Sequence, residues 1–242
     1  MDALTIQRLV ELNNGFYRAN AASFSASRQH AWDGWRKVAE LLPHRPESVL
    51  DVACGNMRFK RFLDEAYGEG VAYFGLDSCD DLVPDDLQDR FCPVDLLGER
   101  VSLPSGIPQE HDLIACFGFM HHVPDVELRA RTLRFLAESC APNGTIAVSF
   151  WQFACDENMR RKAMETTLRG LEETGIALDD GDYLLGWNGS CDAYRYCHSF
   201  SDDEVDALLD ALPAPFETLA RFKADGRSGA MNSYAVLRPL LR

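Results

Sequence analysis

The sequence lacks a basic excess and any long apolar run. Of its 242 residues, 24 are Lys or Arg and 38 are Asp or Glu, so the net charge is -14. Proteins that bind nucleic acids usually carry a basic surface, at least as a stripe, so we do not expect the isolated chain to bind tRNA tightly. No apolar run reaches the roughly 18 residues of a membrane span, and the first residues include acids where a signal peptide would be basic. We therefore expect a cytoplasmic protein with no membrane partner.

The cysteines also lack a functional pattern. The chain has 8 of them, but none forms a CxxC pair and none is spaced with histidine as in zinc sites. Several, such as Cys116, lie in apolar runs, where a free cysteine behaves as a small buried hydrophobe. His121 and His122 are adjacent, but the sequence offers them no third ligand. We expect reduced core thiols and no metal site.

What the sequence does contain is an alternation of apolar strand segments with helical segments. This pattern is typical of a parallel sheet covered by helices on both faces, and we interpret 1–242 as one domain with a helical cap at 1–45. Pro142, Asn143 and Gly144 are predicted to form the turn after the helix at 127–140. Strands are predicted at 48–53, 72–77, 91–96, 111–119, 144–153, 217–222 and 232–239, with a further helix at 58–67.

One segment interrupts this alternation. Residues 156–175 have a helical pattern, and 183–200 are rich in aromatic residues and read as irregular. Residues 152–200 are therefore predicted to be an insertion that caps the sheet. Its aromatic and polar side chains suit the lining of an acceptor pocket, although packing on the sheet would use them as well.

The loop from Asp51 to Met57 follows the first predicted strand, where open α/β sheets bind their ligands. A pyrophosphate cofactor would favour GxGxxG here, because the phosphates must reach backbone amides at the start of the next helix. Only Gly55 is present, since Ala53 and Met57 stand at two positions where glycine is common. A nicotinamide-dependent oxidoreductase is therefore disfavoured. S-adenosylmethionine has no phosphate and needs close backbone approach at one point only.

Two further acids follow the next predicted strands. Asp77 ends the second strand, where a carboxylate can accept hydrogen bonds from both hydroxyls of a ribose. Asp95 follows the third strand, where an adenine amino group is expected. Each acid alone is more often a helix cap or a turn residue. Their order on successive strand ends, however, indicates a nucleoside ligand.

Several segments resemble the class I S-adenosylmethionine-dependent methyltransferases. VLDVACGNMRF is similar to motif I, GLD to the ribose-binding strand end, and DLIACFGFMHHVPD and APNGTIAVSFW to the fourth and fifth strands. YRANAASFSASRQHAW, MHHVPD and YRYCHSFSDDEVDALL are most similar to the methyltransferases that esterify a carboxymethyl group on the wobble uridine of tRNA, and to their bacterial relatives. The resemblance implies an α/β, Rossmann-like fold with a mostly parallel seven-stranded sheet, helices on both faces and a small insertion between the fifth and sixth strands.

The cofactor residues follow from the strand ends and from this resemblance. The related enzymes place a Phe-Ser-x-x-Arg stretch over the methionine end of the cofactor, so Arg28 is expected to pair with its carboxylate. Tyr17 and Trp32 are expected to face the sulfonium, because an aromatic face attracts a cation. The full set of predicted cofactor contacts is Tyr17, Arg28, Trp32, Asp51, Ala53, Cys54, Gly55, Asp77, Ser78, Asp95, Leu96 and Phe117.

The acceptor side is predicted from fewer signals. His121, His122 and His198 are candidate general bases, needed only if the acceptor is protonated at pH 7. Neighbours in an extended stretch point opposite ways, so at most one of His121 and His122 should face the site. The resemblance places acceptor contacts at Tyr194, Arg195 and His198.

These observations predict an S-adenosylmethionine-dependent methyltransferase that acts by in-line displacement on a small-molecule acceptor, with a carboxylate as one candidate. One alternative is a tRNA wobble-uridine carboxymethyl methyltransferase, whose basic surface a partner subunit would have to complete. Another is a module that binds S-adenosylmethionine without catalysis.

Overall fold

The computed structural model describes residues 1–187, 190–212 and 216–240, with the backbone alone described at 190–192. Its strands are β1 (Ser48–Val52), β2 (Ala72–Asp77), β3 (Phe91–Pro93), β4 (His111–Cys116), β5 (Cys140–Trp151), β6 (Asp182–Trp187), β7 (Ser190–His198), β8 (Phe216–Ala224) and β9 (Asn232–Pro239). Its α-helices are α1 (Ala3–Ala26), α2 (Asp33–Leu41), α3 (Arg58–Tyr67), α4 (Val126–Glu138), α5 (Glu157–Thr174) and α6 (Asp202–Asp210). Short 3-10 turns lie at Asp80–Leu82, Asp85–Arg90, Met120–His122 and Phe153–Cys155.

The main sheet has the strand order β3-β2-β1-β4-β5-β9-β8. Strands β1 to β5 pair in parallel, and β9 runs antiparallel to both β5 and β8. The predicted Rossmann-like architecture with a mostly parallel seven-stranded sheet is confirmed. The order reverses between β1 and β4, so a crevice opens at the carboxyl ends of these strands, where such sheets bind ligands.

Both faces of this sheet are buried, which explains why its strands read as continuous apolar runs. Successive residues of β1 enter different cores: Val49 packs with α2 and α3, whereas Leu50 packs with α4 and α6. Helix α2 lies directly on the sheet. A Cβ atom at Gly34 would fall 2.2 Å from the Tyr234 ring, so this glycine permits the close approach. Of the predicted N-terminal cap, only α1 lies away from the main sheet.

The predicted insertion contains a helix, α5, and a second sheet formed by the antiparallel pair β6 and β7. The prediction of an irregular stretch at 183–200 was therefore wrong, apart from residues 188–189, which lie outside the described part of the chain. Helix α1 is fixed to this hairpin by Asn13, whose side chain accepts from the Tyr196 amide at 2.7 Å and donates to its carbonyl at 3.2 Å. Asn13 thus bonds to the backbone of β7 as a neighbouring strand would, so α1 and the hairpin form one cap.

The predicted turn at Pro142, Asn143 and Gly144 lies inside β5 instead. Helix α4 ends at Glu138, and β5 begins at Cys140 with an irregular register against His111. A Cβ atom at Gly144 would lie 2.8 Å from the His111 carbonyl oxygen, so the glycine allows β4 and β5 to approach closely. The turn-forming residues thus produce a local irregularity in a strand rather than its beginning.

Candidate active site

A cavity of about 600 Å³ lies at the carboxyl ends of β1, β2 and β4, beneath α1 and the hairpin. We call the part formed by Asp51, the loop 53–55, Asp77 and Asp95 the strand-end half. The part formed by Tyr17, Arg28, His121, His122 and Arg195 is called the cap half. Every predicted cofactor contact lines this cavity: Tyr17, Arg28, Trp32, Asp51, Ala53, Cys54, Gly55, Asp77, Ser78, Asp95, Leu96 and Phe117.

The backbone conformation of the loop after β1 shows how this loop forms with a single glycine. Ala53, Gly55 and Met57 have positive φ angles of 62°, 52° and 53°, so two non-glycine residues adopt the left-handed region. This conformation is unfavourable for residues with a Cβ atom, but Met57 is fully buried in the core, which offsets it. A Cβ atom at Gly75 would lie 2.8 Å from Met57 Cε, so a glycine on β2 makes room for this side chain.

Asp77 is held rigidly at the end of β2. Its Oδ2 accepts from the Gly55 amide at 2.9 Å and its Oδ1 accepts from the Cys79 amide at 3.0 Å. A carboxylate oxygen can accept two hydrogen bonds, so Asp77 keeps acceptor capacity beyond its bonds to the amides of Gly55, Cys79 and Ser78. Burial raises the pKa of Asp77, and the backbone bonds oppose that effect. The carboxylate is therefore a fixed pair of acceptors in the cavity wall.

Two other acids complete the strand-end half. Asp95 Oδ1 accepts from the Leu97 amide at 3.0 Å, which orients the side chain after β3. Asp51 is 3% exposed and accepts a short hydrogen bond from the Tyr73 hydroxyl. Burial raises the pKa of Asp51 to about 7, so this group is partly protonated near neutral pH. The strand-end half thus presents hydrogen-bond acceptors.

The cap half is organised around Tyr17 and His122. His122 Nδ1 lies 2.9 Å from the Tyr196 carbonyl oxygen, which only accepts, so Nδ1 carries the proton. Its Nε2 then accepts from the Tyr17 hydroxyl at 2.7 Å. Arg195 Nη1 donates to the oxygen of the same hydroxyl at 3.4 Å. Tyr17 is therefore fixed between a histidine and a guanidinium at the cavity wall.

Both histidines that follow β4 line the cavity, so the prediction that at most one of them would face it was wrong. They lie in the 3-10 turn Met120–His122 rather than in an extended stretch, and their ring centroids are 4.1 Å apart. Burial, followed by the charge of Arg195, lowers the pKa of His122 to about 3. Burial, followed by His122, also lowers the pKa of His121 well below its usual value. Both rings are neutral at pH 7.

Two predicted acceptor residues do not line the cavity. His198 is 1% exposed, and its nitrogens lie 2.7 Å from Asp182 Oδ1 and 3.1 Å from Glu204 Oε1. Tyr194 packs in a cluster with Leu9 and Leu184, and its hydroxyl donates to Glu173. Strand alternation explains the result, because even-numbered residues of β7 face away from the cavity while Arg195 faces it. His198 therefore supports the hairpin, and its prediction as a candidate general base was wrong.

Sequence reasoning also missed several residues of the cavity wall. Trp151 ends β5 and packs on His121, with ring centroids 4.9 Å apart. The strand-end rule would have found it, had that rule been applied to the fifth strand. Arg58 begins α3, and Asp225 and Asn232 flank the turn between β8 and β9. Their positions depend on long-range packing, which no local pattern signals.

A third potential metal ligand does exist in space. Among the described residues, ligand atoms of His121, His122 and Cys197 lie within 4.8 Å of one another. Both nitrogens of His122 are engaged with Tyr196 and Tyr17, however, and burial raises the pKa of the Cys197 thiol to about 12. A metal ion binds a thiolate and an imidazole nitrogen free of its proton. The absence of a metal site stays a prediction, now with a physical reason.

The comparisons with known proteins agree with this architecture. A family model described as a methyltransferase domain matches residues 24–212. The chain belongs to this methyltransferase domain family. The resemblance inferred from motif I is thereby confirmed at family level, and the protein is an enzyme of this class.

Individual relatives are distant. A protein of Encephalitozoon cuniculi, named as a methyltransferase, is 25% identical over 195 residues, which cover 81% of each chain. A protein of Mus musculus, named as tRNA methyltransferase 9B, is 27% identical over 71% of this chain, but the match spans only 32% of that relative. The solved complex of DhpI with SAM and HEP has a TM-score of 0.61 at 19% identity, covering 96% of this chain and 98% of that one. The structural match shows the fold.

Proposed function

We propose that this chain transfers the methyl group of S-adenosylmethionine to a carboxylate of a small-molecule acceptor. The family and the fold support methyl transfer, and a neighbour of the same fold was solved with SAM bound. When bound, S-adenosylmethionine supplies a methyl group on a positively charged sulfur that is open to in-line attack. Positioning the acceptor against this group is then the main task of the chain.

The strand-end half fits the nucleoside of this cofactor. A Cβ atom at Gly55 would meet no atom within 4 Å, so the missing side chain leaves open space in the cavity wall. Asp77 keeps acceptor capacity that a ribose hydroxyl could use, and Asp95 lies where an adenine amino group is expected. Arg28 lines the cavity on the cap side and would hold the methionine carboxylate, with Tyr17 and Trp32 as aromatic neighbours.

The observation that carries the acceptor proposal is Arg195. Its side chain is 7% exposed, and no carboxylate lies within 4.0 Å of its guanidinium among the described residues. A buried cation is expected to be paired, because its desolvation is otherwise uncompensated. The guanidinium fork matches the geometry of a carboxylate. An acidic acceptor would therefore complete this half of the cavity.

The protonation states of the neighbours also favour an anionic acceptor. Burial holds the pKa of His122 at about 3 and raises the pKa of Tyr17 to about 12. A histidine with so low a pKa is a weak base, and a tyrosine with so high a pKa keeps its proton. A carboxylate is already ionised at pH 7 and needs no base. The rate of methyl transfer is therefore expected to be nearly flat between pH ~6 and ~8.

The test is methyl transfer from S-adenosylmethionine labelled in the methyl group to a panel of small carboxylic acids. Methyl esters release volatile methanol in alkali, whereas methyl ethers and methylated amines do not. We expect alkali-labile label on at least one acid. The control variant Arg161→Gln, changed at an exposed helix position, should give the same label as the unchanged chain. Label found only in alkali-stable products would contradict the proposal. Cofactor binding and a thermal shift without any turnover would favour the binding-module alternative.

The tRNA alternative is supported by the likeness to a relative named as a tRNA methyltransferase. Against it stands the net charge of -14, so a basic surface would have to come from a partner subunit. Sub-micromolar tRNA binding by the isolated chain that weakens steeply with salt would favour this alternative over ours. Among the described residues no helix is long and apolar enough to cross a membrane, and a cytoplasmic location stays a prediction.

A further inference from the structure

Two arginines of the cap half share one aromatic ring. The Arg28 guanidinium carbon lies 5.2 Å from the centre of the Trp187 ring, and that of Arg195 lies 5.5 Å from it. Each also lies over a phenylalanine of α1, Arg28 over Phe24 at 4.1 Å and Arg195 over Phe16 at 5.4 Å. Aromatic faces stabilise a cation without neutralising it. The cap thus holds two positive charges beside the same cavity.

Neither charge has an acidic partner among the described residues. Within residues 1–187, 190–212 and 216–240, eleven ion pairs are formed within 4.0 Å, including pairs at Arg129 and Arg221, and none of them involves Arg28 or Arg195. Burial and then the charge of Arg195 lower the pKa of Arg28, so the two groups oppose each other. Arg195 Nε is buried and has no hydrogen-bond partner in the part of the chain that the structure describes. Such a lack of acidic partners for two arginines is unusual in a chain with 38 acidic residues.

The donors that remain free show where an anion would be held. To partners that the structure describes, Arg28 donates one side-chain hydrogen bond, from Nη1 to Ser27 Oγ at 2.9 Å, and Arg195 donates one, to Tyr17 at 3.4 Å. A guanidinium has five N–H donors, so each side chain keeps several. The Tyr17 hydroxyl proton is committed to His122, which leaves the arginines as the charged donors of the cap half.

If the proposed function holds, the balance of charges in the cap half indicates how many carboxylates the acceptor carries. The cofactor brings one carboxylate, which offsets one arginine, but its sulfonium and amino groups add positive charge beside the other. A monocarboxylate would leave the cap half with an excess of positive charge. From this deficit we infer that the natural acceptor is a dicarboxylate, with one carboxylate methylated and the other held by Arg195, while Arg28 holds the carboxylate of the cofactor.

The methyl transfer balances without any further reactant. One carboxylate oxygen forms a bond to the methyl carbon as the carbon–sulfur bond breaks, and the bonding electrons stay on sulfur. The products are a methyl ester and neutral S-adenosylhomocysteine. The second carboxylate is unchanged and stays on Arg195.

The test is calorimetry of the full chain saturated with S-adenosylhomocysteine, at constant ionic strength. The probes are malonate, succinate, glutarate and adipate, each compared with its half-amide, which removes one charge at nearly constant size. At least one dicarboxylate is expected to bind about 10-fold or more tightly than its half-amide. Arg195→Gln is expected to remove this preference, Arg195→Lys to keep part of it, and Arg161→Gln to leave it unchanged.

Equal binding of every acid and its half-amide, no binding of any acid, or a preference that survives Arg195→Gln would overturn the inference. Retained S-adenosylhomocysteine binding in each variant shows that its fold is intact. If the unchanged chain does not bind S-adenosylhomocysteine at all, the proposed function itself fails. If it binds S-adenosylhomocysteine without preferring a dicarboxylate, only this inference fails.

Discussion

The two halves of the cavity are built in different ways. The strand-end half comes from short segments that each follow a strand, and Asp77 and Asp95 are oriented by backbone amides two residues away, with a further amide from the adjacent loop for Asp77. The cap half joins side chains from distant segments: Tyr17 meets His122 across 105 positions and Arg195 across 178. The charges differ as well, since acids line the first half and arginines the second. Under the proposed function, recognition of the nucleoside would be local, whereas recognition of the methionine end and of the acceptor would depend on the assembled cap.

The largest expected effect is that of Arg195→Gln on the acceptor side alone. Removing the buried guanidinium should lower kcat/KM for a carboxylate acceptor by about 100-fold or more, roughly 3 kcal/mol, because a charged hydrogen-bonded partner is lost. Affinity for S-adenosylmethionine should change less, by about 1 kcal/mol or less, because Arg195 reaches the cofactor side only through Tyr17 and through the aromatic ring that it shares with Arg28. Steady-state kinetics and calorimetry measure the two quantities. An equal loss in both would mean that the halves are not separate.

The converse change is Asp77→Ala in the strand-end half. It should weaken the binding of S-adenosylmethionine by about 1.5–3 kcal/mol, the range for hydrogen bonds to a charged group. Asp81→Ala, at an exposed position of the next turn, is the matched control and should have no effect. Calorimetry on folded protein checks the result, and unchanged affinity in Asp77→Ala would remove this residue from the cofactor site.

The burial of Asp51 in the strand-end half makes the free energy of unfolding depend on pH. Its pKa is raised by burial to about 7 from the ordinary value of 3.8, so between these limits the folded state binds more protons than the unfolded state. Stability therefore falls as pH rises from about 4 to about 7. Asp51→Asn should remove this slope and raise the free energy of unfolding at pH 8 by about 1 kcal/mol or more. Denaturant unfolding at several pH values measures it, and parallel pH curves for the two proteins would contradict the expectation.

The smallest expected effect on catalysis is that of His198→Ala. His198 lies outside the cavity between Asp182 and Glu204, so kcat and the acceptor KM should stay within about twofold. Stability should fall by about 1–3 kcal/mol, because Asp182 loses a buried partner. A large rise in the acceptor KM without a loss of stability would return His198 to the acceptor site.

The same contrast explains how much of the structure could be predicted from the sequence. β1, the position of its loop and Asp77 follow from a local pattern, because strand ends are set by neighbouring residues. The fit of Met57 could not be predicted, since it depends on Gly75 of β2. Arg195 was found through the family resemblance, but His198, three residues later, was misplaced because the hairpin that fixes strand alternation was not recognised.

The cap half also depends on residues that no local pattern marks. Asn13 is one polar residue in a long helix, and its role appears only when β7 lies beside it. The turn that brings His121 and His122 to the same wall was predicted as extended chain, so the two side chains were expected to point in opposite directions. Long-range pairing decided the role of Asn13, and an unrecognised turn decided that of the histidines, which is why the cap half was the less predictable one.

The most direct test of the division between the halves is a crystal structure of the chain with S-adenosylhomocysteine. We expect the ribose hydroxyls to contact Asp77 and the adenine to lie beside Asp95. The sulfur should then face the cap half, with Tyr17 and Arg195 lining the space in front of it. A nucleoside bound among Tyr17, His122 and Arg195, with Asp77 free of contacts, would show that the two halves have been assigned wrongly.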